Sequence, residues 1–164
     1  MACQHNNIIT MLHIQKRGFF NVRYEVTINE EPLCEINKSG FSRVYKFKLN
    51  ENEYTLKANH IFSSKMNMYC NDELIAEVRQ RFKLRSTWEI TYKNTSFKLI
   101  STGILKREYN LQKENLERYF GSISRASTFS NLWVLDFPES IDTWFQILLF
   151  CLSQETETQN AAAT

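Results

Sequence analysis

Glycine and proline are scarce in this chain, at four and two of 164 residues. With glycine only at positions 18, 40, 103 and 121, the sequence holds no phosphate-cradling loop and no dinucleotide fingerprint. The four cysteines (Cys3, Cys34, Cys70 and Cys151) lie far apart with no C-x-x-C pair, which excludes a zinc ribbon or a dithiol redox motif. Cys34, Cys70 and Cys151 sit in apolar runs, as small buried hydrophobes do, which points to a reducing, cytoplasmic compartment. His13 and His60 have no cysteine or carboxylate at ligand spacing, and Cys3 and His5 fall in an N-terminal stretch expected to be mobile, so no metal and no cofactor is expected. No serine or cysteine stands in a nucleophile elbow. Carboxylates gather in turn pairs such as Glu30-Glu31 and Asp72-Glu73, where solvation accounts for them without acid–base chemistry. Charge of one sign is lacking too: 20 basic against 18 acidic side chains leave +2, so nucleic acid is not expected as a partner and any anion binding must come from local clustering. The N-terminal MACQHNNIITMLHI has no basic n-region, so a secretory signal is not expected, and the sequons at Asn37 and Asn94 read as turn residues.

What the chain has is alternation. Tyr24, Val26 and Ile28 share one face, as do Tyr45, Phe47 and Leu49, and then Tyr54, Leu56 and Ala58. Period two over such lengths is the pattern of a half-buried strand. Between these runs lie polar turns whose asparagines at 29, 50, 71, 94 and 115 recur every 21 to 23 residues, about one two-strand hairpin per interval. Five hairpins plus outer strands such as Trp133 to Phe137 give about ten to twelve antiparallel strands. Closing them into a barrel removes the exposed edges.

A barrel that wide needs a filler. Ile141 to Leu152 (IDTWFQILLFCL) is apolar on nearly every face yet well short of the roughly 20 residues that span a bilayer, so no transmembrane span is expected. A helix greasy all round must be surrounded. The spacing predicts a helix from about Ser140 to Ser153, with Asp136 and Glu139 as a capping box and Pro138 in its first turn. The fold expected is therefore a mainly β, closed antiparallel barrel of about 12 strands around a central C-terminal hydrophobic helix. The expected boundaries are an N-terminal extension over 1–17, the barrel over 18–155 and a disordered tail over 156–164, since ETETQNAAAT has no apolar side chain larger than alanine.

The run from Asn71 to Arg85 (NDELIAEVRQRFKLR), followed by Trp88-Glu89-Ile90 and the turn at Lys93-Asn94, resembles the central part of LURP-one-related proteins. The segment Leu135 to Asp142 (LDFPESID), leading into the apolar helix, is similar to that family's closing pattern. These proteins belong to the tubby C-terminal-like barrels, as do the phospholipid scramblases. The resemblance covers roughly Phe20 to Glu155 and implies a twelve-stranded barrel threaded by its C-terminal helix. The Pro-rich arm of scramblases is absent and most Asp-Gly turns are replaced by Asn/Glu turns, so scrambling and calcium binding are not carried over.

The leading functional candidate is the run Arg79, Arg81, Lys83 and Arg85. Spacing of two puts these cations on one face of a strand over roughly 20 Å, with Val78, Phe82 and Leu84 on the other. Guanidinium forks suit phosphate, so the expected partner is anionic phospholipid headgroups or an acidic protein surface. Lys106 and Arg107 would extend the patch if their strand is adjacent. The bland reading of the same residues is a solvated strand face that discourages edge association. Trp88, Tyr92 and Phe97 interleave with basic residues, but Trp88 and Tyr92 share a face of one short strand with Ile90, as core residues do. The function expected is a non-enzymatic intracellular binding or scaffold module, peripheral at membranes. The alternatives are a lipocalin-like carrier of a small apolar ligand, with an open lumen and the helix outside, or an enzyme whose site is assembled from distant strands. Oligomeric state is not legible.

Overall fold

The computed structural model describes residues 11–82, 86–102 and 107–163. The elements are β1 (Leu12–Arg17), β2 (Val22–Ile28), β3 (Glu31–Lys38), β4 (Val44–Leu49), β5 (Asn52–Ala58), β6 (Lys65–Cys70), β7 (Glu73–Phe82), β8 (Ser86–Tyr92), β9 (Thr95–Thr102), β10 (Glu108–Lys113), β11 (Tyr119–Arg125), β12 (Leu132–Asp136) and helix α1 (Thr143–Ala162). Each strand pairs antiparallel with its neighbours in sequence, and β1 closes on β12. The result is the closed twelve-stranded meander that the alternation and the turns called for.

The asparagine markers act as expected. Asn29, Asn50, Asn71, Asn94 and Asn115 all have positive φ, between 48° and 70°. Asparagine adopts this left-handed backbone at less cost than most residues, and two consecutive positive φ values match the twist of a two-residue hairpin. The turns at Asn29-Glu30, Asn71-Asp72 and Lys93-Asn94 have that form.

Inward-facing residues of the strands, including Ile14, Tyr45, Leu56, Met66, Met68, Trp88 and Leu99, meet the helix, whose Phe145, Ile147, Leu148, Leu149, Phe150 and Leu152 are fully buried. Phe145 stacks on Tyr92 at 4.0 Å, and Phe150 makes edge contacts with Tyr24 at 5.1 Å and Trp133 at 6.0 Å. Each such side chain contributes on the order of 1.5–3 kcal/mol by leaving water. The helix thus lies inside, and the open-lumen arrangement of a lipocalin-like carrier is not the one adopted. Among the described residues no helix is long and apolar enough to cross a membrane.

Three expected boundaries change. Residues 12–17 are not extension but strand β1, whose buried Leu12 and Ile14 face Leu135 and Trp133 across the closing seam. The helix starts at Thr143 behind Asp142, later than the Asp136/Glu139 capping box required, and the Asp142 side chain makes no cap hydrogen bond. It accepts instead from the Tyr92 hydroxyl and pairs with Lys93 at 3.0 Å. At the far end the helix runs on to Ala162, through residues expected to be a disordered tail. Glu155 and Thr156 are buried there because the barrel wall supplies partners that a tail in water would lack.

Candidate functional site

In a meander, every second connection lies at the same end of the barrel. The connections 29–30, 50–51, 71–72, 93–94, 114–118 and 137–142 form one end, together with the start of the helix. They carry Glu30, Glu51, Asp72, Glu114, Glu117, Glu139 and Asp142 against two cations, Lys93 and Arg118. The other end is formed by the loops 18–21, 39–43, 59–64 and 126–131 and by the last turns of the helix. None of these loops contains Asp or Glu, and the same is true by sequence of 83–85 and 103–107.

That second end is aromatic. Phe19, Phe20, Phe41, Ile61, Phe62 and Phe129 all belong to it, and each is at least 66% exposed. The other exposed large apolar residues among those described, Met11, Leu74, Leu116 and Tyr119, reach 53% at most. Hydrophobic side chains this exposed and this segregated mark an interaction surface more often than chance exposure does.

The loops bearing them are tethered from within. Arg43 donates through Nε to Glu155 Oε2 at 2.6 Å and through a terminal nitrogen to the carbonyls of Ser63 at 2.5 Å and Ile61 at 3.3 Å. One guanidinium thereby ties the Phe41 loop to the Ile61-Phe62 loop and both to the helix. Glu155 also accepts from the Tyr45 hydroxyl at 2.8 Å and faces Lys38 at 3.9 Å. Two residues on, Glu157 Oε2 accepts from Arg107 at 3.0 Å and Arg125 at 3.1 Å. Arg125 lies over the Trp133 ring at 4.8 Å and donates to the carbonyl of Thr128 at 3.4 Å, beside Phe129. Trp88 Nε1 donates to Thr156 Oγ1 at 2.9 Å, and Gln80 Nε2 donates to Gln159 Oε1 at 2.6 Å.

Burial sets the ionisation of this cluster. Glu157 is held above the ordinary carboxyl range by desolvation, which outweighs the opposing pull of Arg125 and Arg107. Lys38 is held below the ordinary lysine range, first by desolvation and then by the like charges of Lys16 and Arg43, against the attraction of Glu155. The Tyr45 phenol is pushed well up by burial and next by Glu155, so it stays a hydrogen-bond donor.

The predicted stripe stands elsewhere. Arg79 and Arg81 do point outward from β7, as the period of two required, while Gln80 between them is buried. Arg81 is paired with Glu89 at 3.0 Å, and Arg79 shares a shallow hollow of about 360 Å³ with Glu77, Glu89 and Glu114 as well as Lys65 and Lys98. The described part of the stripe is a mixed-charge surface. Lys83, Arg85 and Lys106 lie outside the described residues. Trp88, Tyr92 and Phe97 are core, as read from the sequence. Cys34 and Cys70 are half-buried and Cys151 fully buried, all as free thiols, with the Cys34 thiol pushed up to about 11 by burial. Among the described residues no group of three or more His, Cys, Asp or Glu could hold a metal.

Sequence reasoning missed the rim and the charged mouth. The mouth was beyond reach, because Arg43 and Glu155 are 112 residues apart. The rim had a signal: alternate connections hold the phenylalanines and lack carboxylates. Fold and site together define a helix-filled antiparallel β-barrel with one acidic end and one aromatic, cation-backed end. No protein-family model, curated protein or solved structure matches the chain.

Proposed function

We propose that this chain is a non-enzymatic, intracellular docking module that seats its aromatic rim on an anionic phospholipid surface. The observation that carries the reading is the segregation of Phe19, Phe20, Phe41, Ile61, Phe62 and Phe129 to a single end whose described loops hold no acidic residue. Aromatic side chains favour the headgroup boundary of a bilayer, where an apolar body is dry and the polar neighbours stay wet. Behind the rim Lys16 adds attraction to anionic lipid, Arg17, Arg23 and Arg107 being paired with Glu25, Glu35 and Glu157, while the acidic far end is repelled and sets the orientation. Tethering of the loops by Arg43 and Arg125 lowers the ordering cost of binding. The sequence resemblance of Asn71 to Arg85 and Leu135 to Asp142 to LURP-one-related proteins supports a binding module over an enzyme.

The test is co-sedimentation with phosphatidylcholine vesicles with and without phosphatidylserine. The expected result is binding that needs the anionic lipid and weakens with salt, as the Debye length falls from about 10 Å at 0.1 M to about 3 Å at 1 M. Replacing Phe41, Phe62 and Phe129 together with Ser should weaken it at least tenfold, because even half-burial of each ring is worth on the order of 1 kcal/mol. Replacing Arg79 and Arg81 with Gln should leave it unchanged. Binding that survives the three serines, or that is lost with Arg79 and Arg81, overturns the rim reading; retention of an acidic protein in place of vesicles would overturn its lipid part.

A further inference from the structure

Between the last turns of the helix and strands β1, β2, β3 and β11 lies a cavity of about 230 Å³, lined by Lys16, Lys38, Arg107, Arg125, Asn131 and Glu157 among others. It lies at the aromatic end of the barrel. Ligand pockets for drug-sized molecules run to roughly 300–1,000 Å³ and are mostly apolar. This one is smaller, and beside Val22, Tyr24, Trp133 and Ala161 it carries four cations and one carboxylate, so it fits a compact anion rather than a drug-sized apolar ligand.

Its charge is unbalanced. Counting the two carboxylates of the mouth, Glu155 and Glu157, against Lys16, Lys38, Arg43, Arg107 and Arg125 gives five cations to two anions. The helix C-terminus adds a partial negative charge of about one half, which does not close the gap. Among the described residues Lys16 has no carboxylate within ion-pair distance, and the buried Arg125 Nε has no hydrogen-bond partner; Glu157 Oε1, also without one, is the single carboxylate oxygen left over against them. Lys38 and Lys16 face the same space, and their mutual repulsion is what an anion between them would relieve. Four cations from three separate stretches of wall around one small concavity suit tetrahedral oxyanions, which accept hydrogen bonds in all directions.

We infer that this cavity is a binding site for a phosphomonoester group, held by Lys16, Lys38, Arg107 and Arg125. The group could be carried by a lipid or by a soluble metabolite. In the lipid case the inference rests on the docking reading above, because only a rim seated on the membrane brings a headgroup to the mouth. In the soluble case it stands alone.

Thermal unfolding of the full chain with glycerol 3-phosphate, against sodium chloride at equal ionic strength, reads the soluble arm. Sedimentation with vesicles containing phosphatidate, against vesicles matched in charge with phosphatidylserine, reads the lipid arm. The expected result is a Tm raised by glycerol 3-phosphate beyond the salt control, or binding at least tenfold tighter to phosphatidate than to phosphatidylserine. Either effect should be lost in Lys16→Gln with Arg107→Gln, both exposed enough for the fold to tolerate the change, and kept in the variant with Phe41, Phe62 and Phe129 replaced by Ser when the soluble probe is used. Loss of vesicle binding in that serine variant with retained glycerol 3-phosphate binding assigns separate roles to rim and cavity. No response to either phosphomonoester, or an undiminished response in the Lys16/Arg107 variant, overturns the inference.

Discussion

Removing the Glu155 carboxylate should destabilise the barrel strongly. Its side chain is 3% exposed, and those of its partners Arg43 and Lys38 are 13% and 11% exposed. In Glu155→Ala the Arg43 guanidinium, one of whose terminal nitrogens already lacks a partner, loses its 2.6 Å contact and Tyr45 loses its acceptor. Breaking a buried pair from one side costs about 3–5 kcal/mol, because the surviving charge stays desolvated. Arg43 keeps its bonds to Ser63 and Ile61, and Lys38 at 3.9 Å is the weaker partner, so the low end, about 3 kcal/mol, is expected. With a urea m-value of about 2 kcal/mol/M, the unfolding midpoint falls by about 1.5 M. The double variant Arg43→Met with Glu155→Leu should recover part of the loss, since it removes the stranded guanidinium, while Lys38 still lacks its carboxylate and the Ser63 and Ile61 carbonyls lose their donor. A loss in Glu155→Ala below about 1 kcal/mol, the range of solvent-exposed pairs, would refute the reasoning and with it the burial of the helix's polar half.

Leu148→Asp places an unpaired carboxylate at a fully buried helix position and should prevent cooperative folding; wild-type melting by circular dichroism would show that this face is not in a core. A Cβ at Gly121 would lie 2.3 Å from Phe137 Cδ1 and 2.7 Å from the Asp136 carbonyl, so Gly121→Ala should cost about 1–3 kcal/mol in urea unfolding, and an unchanged midpoint would contradict the packing of Phe137 over that strand. Asp142 is held below the ordinary carboxyl range, chiefly by the Tyr92 hydroxyl and then by Lys93. Its contribution to stability is therefore present above pH about 4 and lost as pH falls through its lower folded value. Tyr92→Phe should flatten that acid loss, as followed by chemical denaturation from pH 6 to about 2.

The strand pattern, the turn asparagines and the internal helix were legible because each rests on local chemistry. Period two places Tyr45, Phe47 and Leu49 on one side whatever lies across the barrel, and Asn71 turns the chain wherever the hairpin sits. The end of the helix was not legible, for a physical reason. Glu155, Thr156 and Glu157 are poor candidates for burial when read alone, and the first two become buried and Glu157 half-buried because Lys38, Arg43, Trp88, Arg107 and Arg125, scattered along the wall, meet them there. Arg79 and Arg81 lie on the outward face that the period of two requires, but sequence distance concealed Glu89, which sits opposite Arg79 in the register and pairs with Arg81. Leu12 and Ile14 alternate as strand residues do; the polar residues around them hid a strand whose partner, β12, lies at the opposite end of the barrel sequence.

The proposed docking seats the aromatic end of the barrel, not the acidic one, on the membrane, and depth-dependent quenching distinguishes the two ends. A single environment-sensitive fluorophore is placed at Phe129 on the rim or at Asn50 on the acidic end, and the protein is mixed with phosphatidylserine vesicles that carry a quencher at the headgroup–acyl boundary. Docking through the rim gives quenching at position 129 and none at position 50. Equal quenching at both, quenching at position 50 alone, or none at either would contradict it.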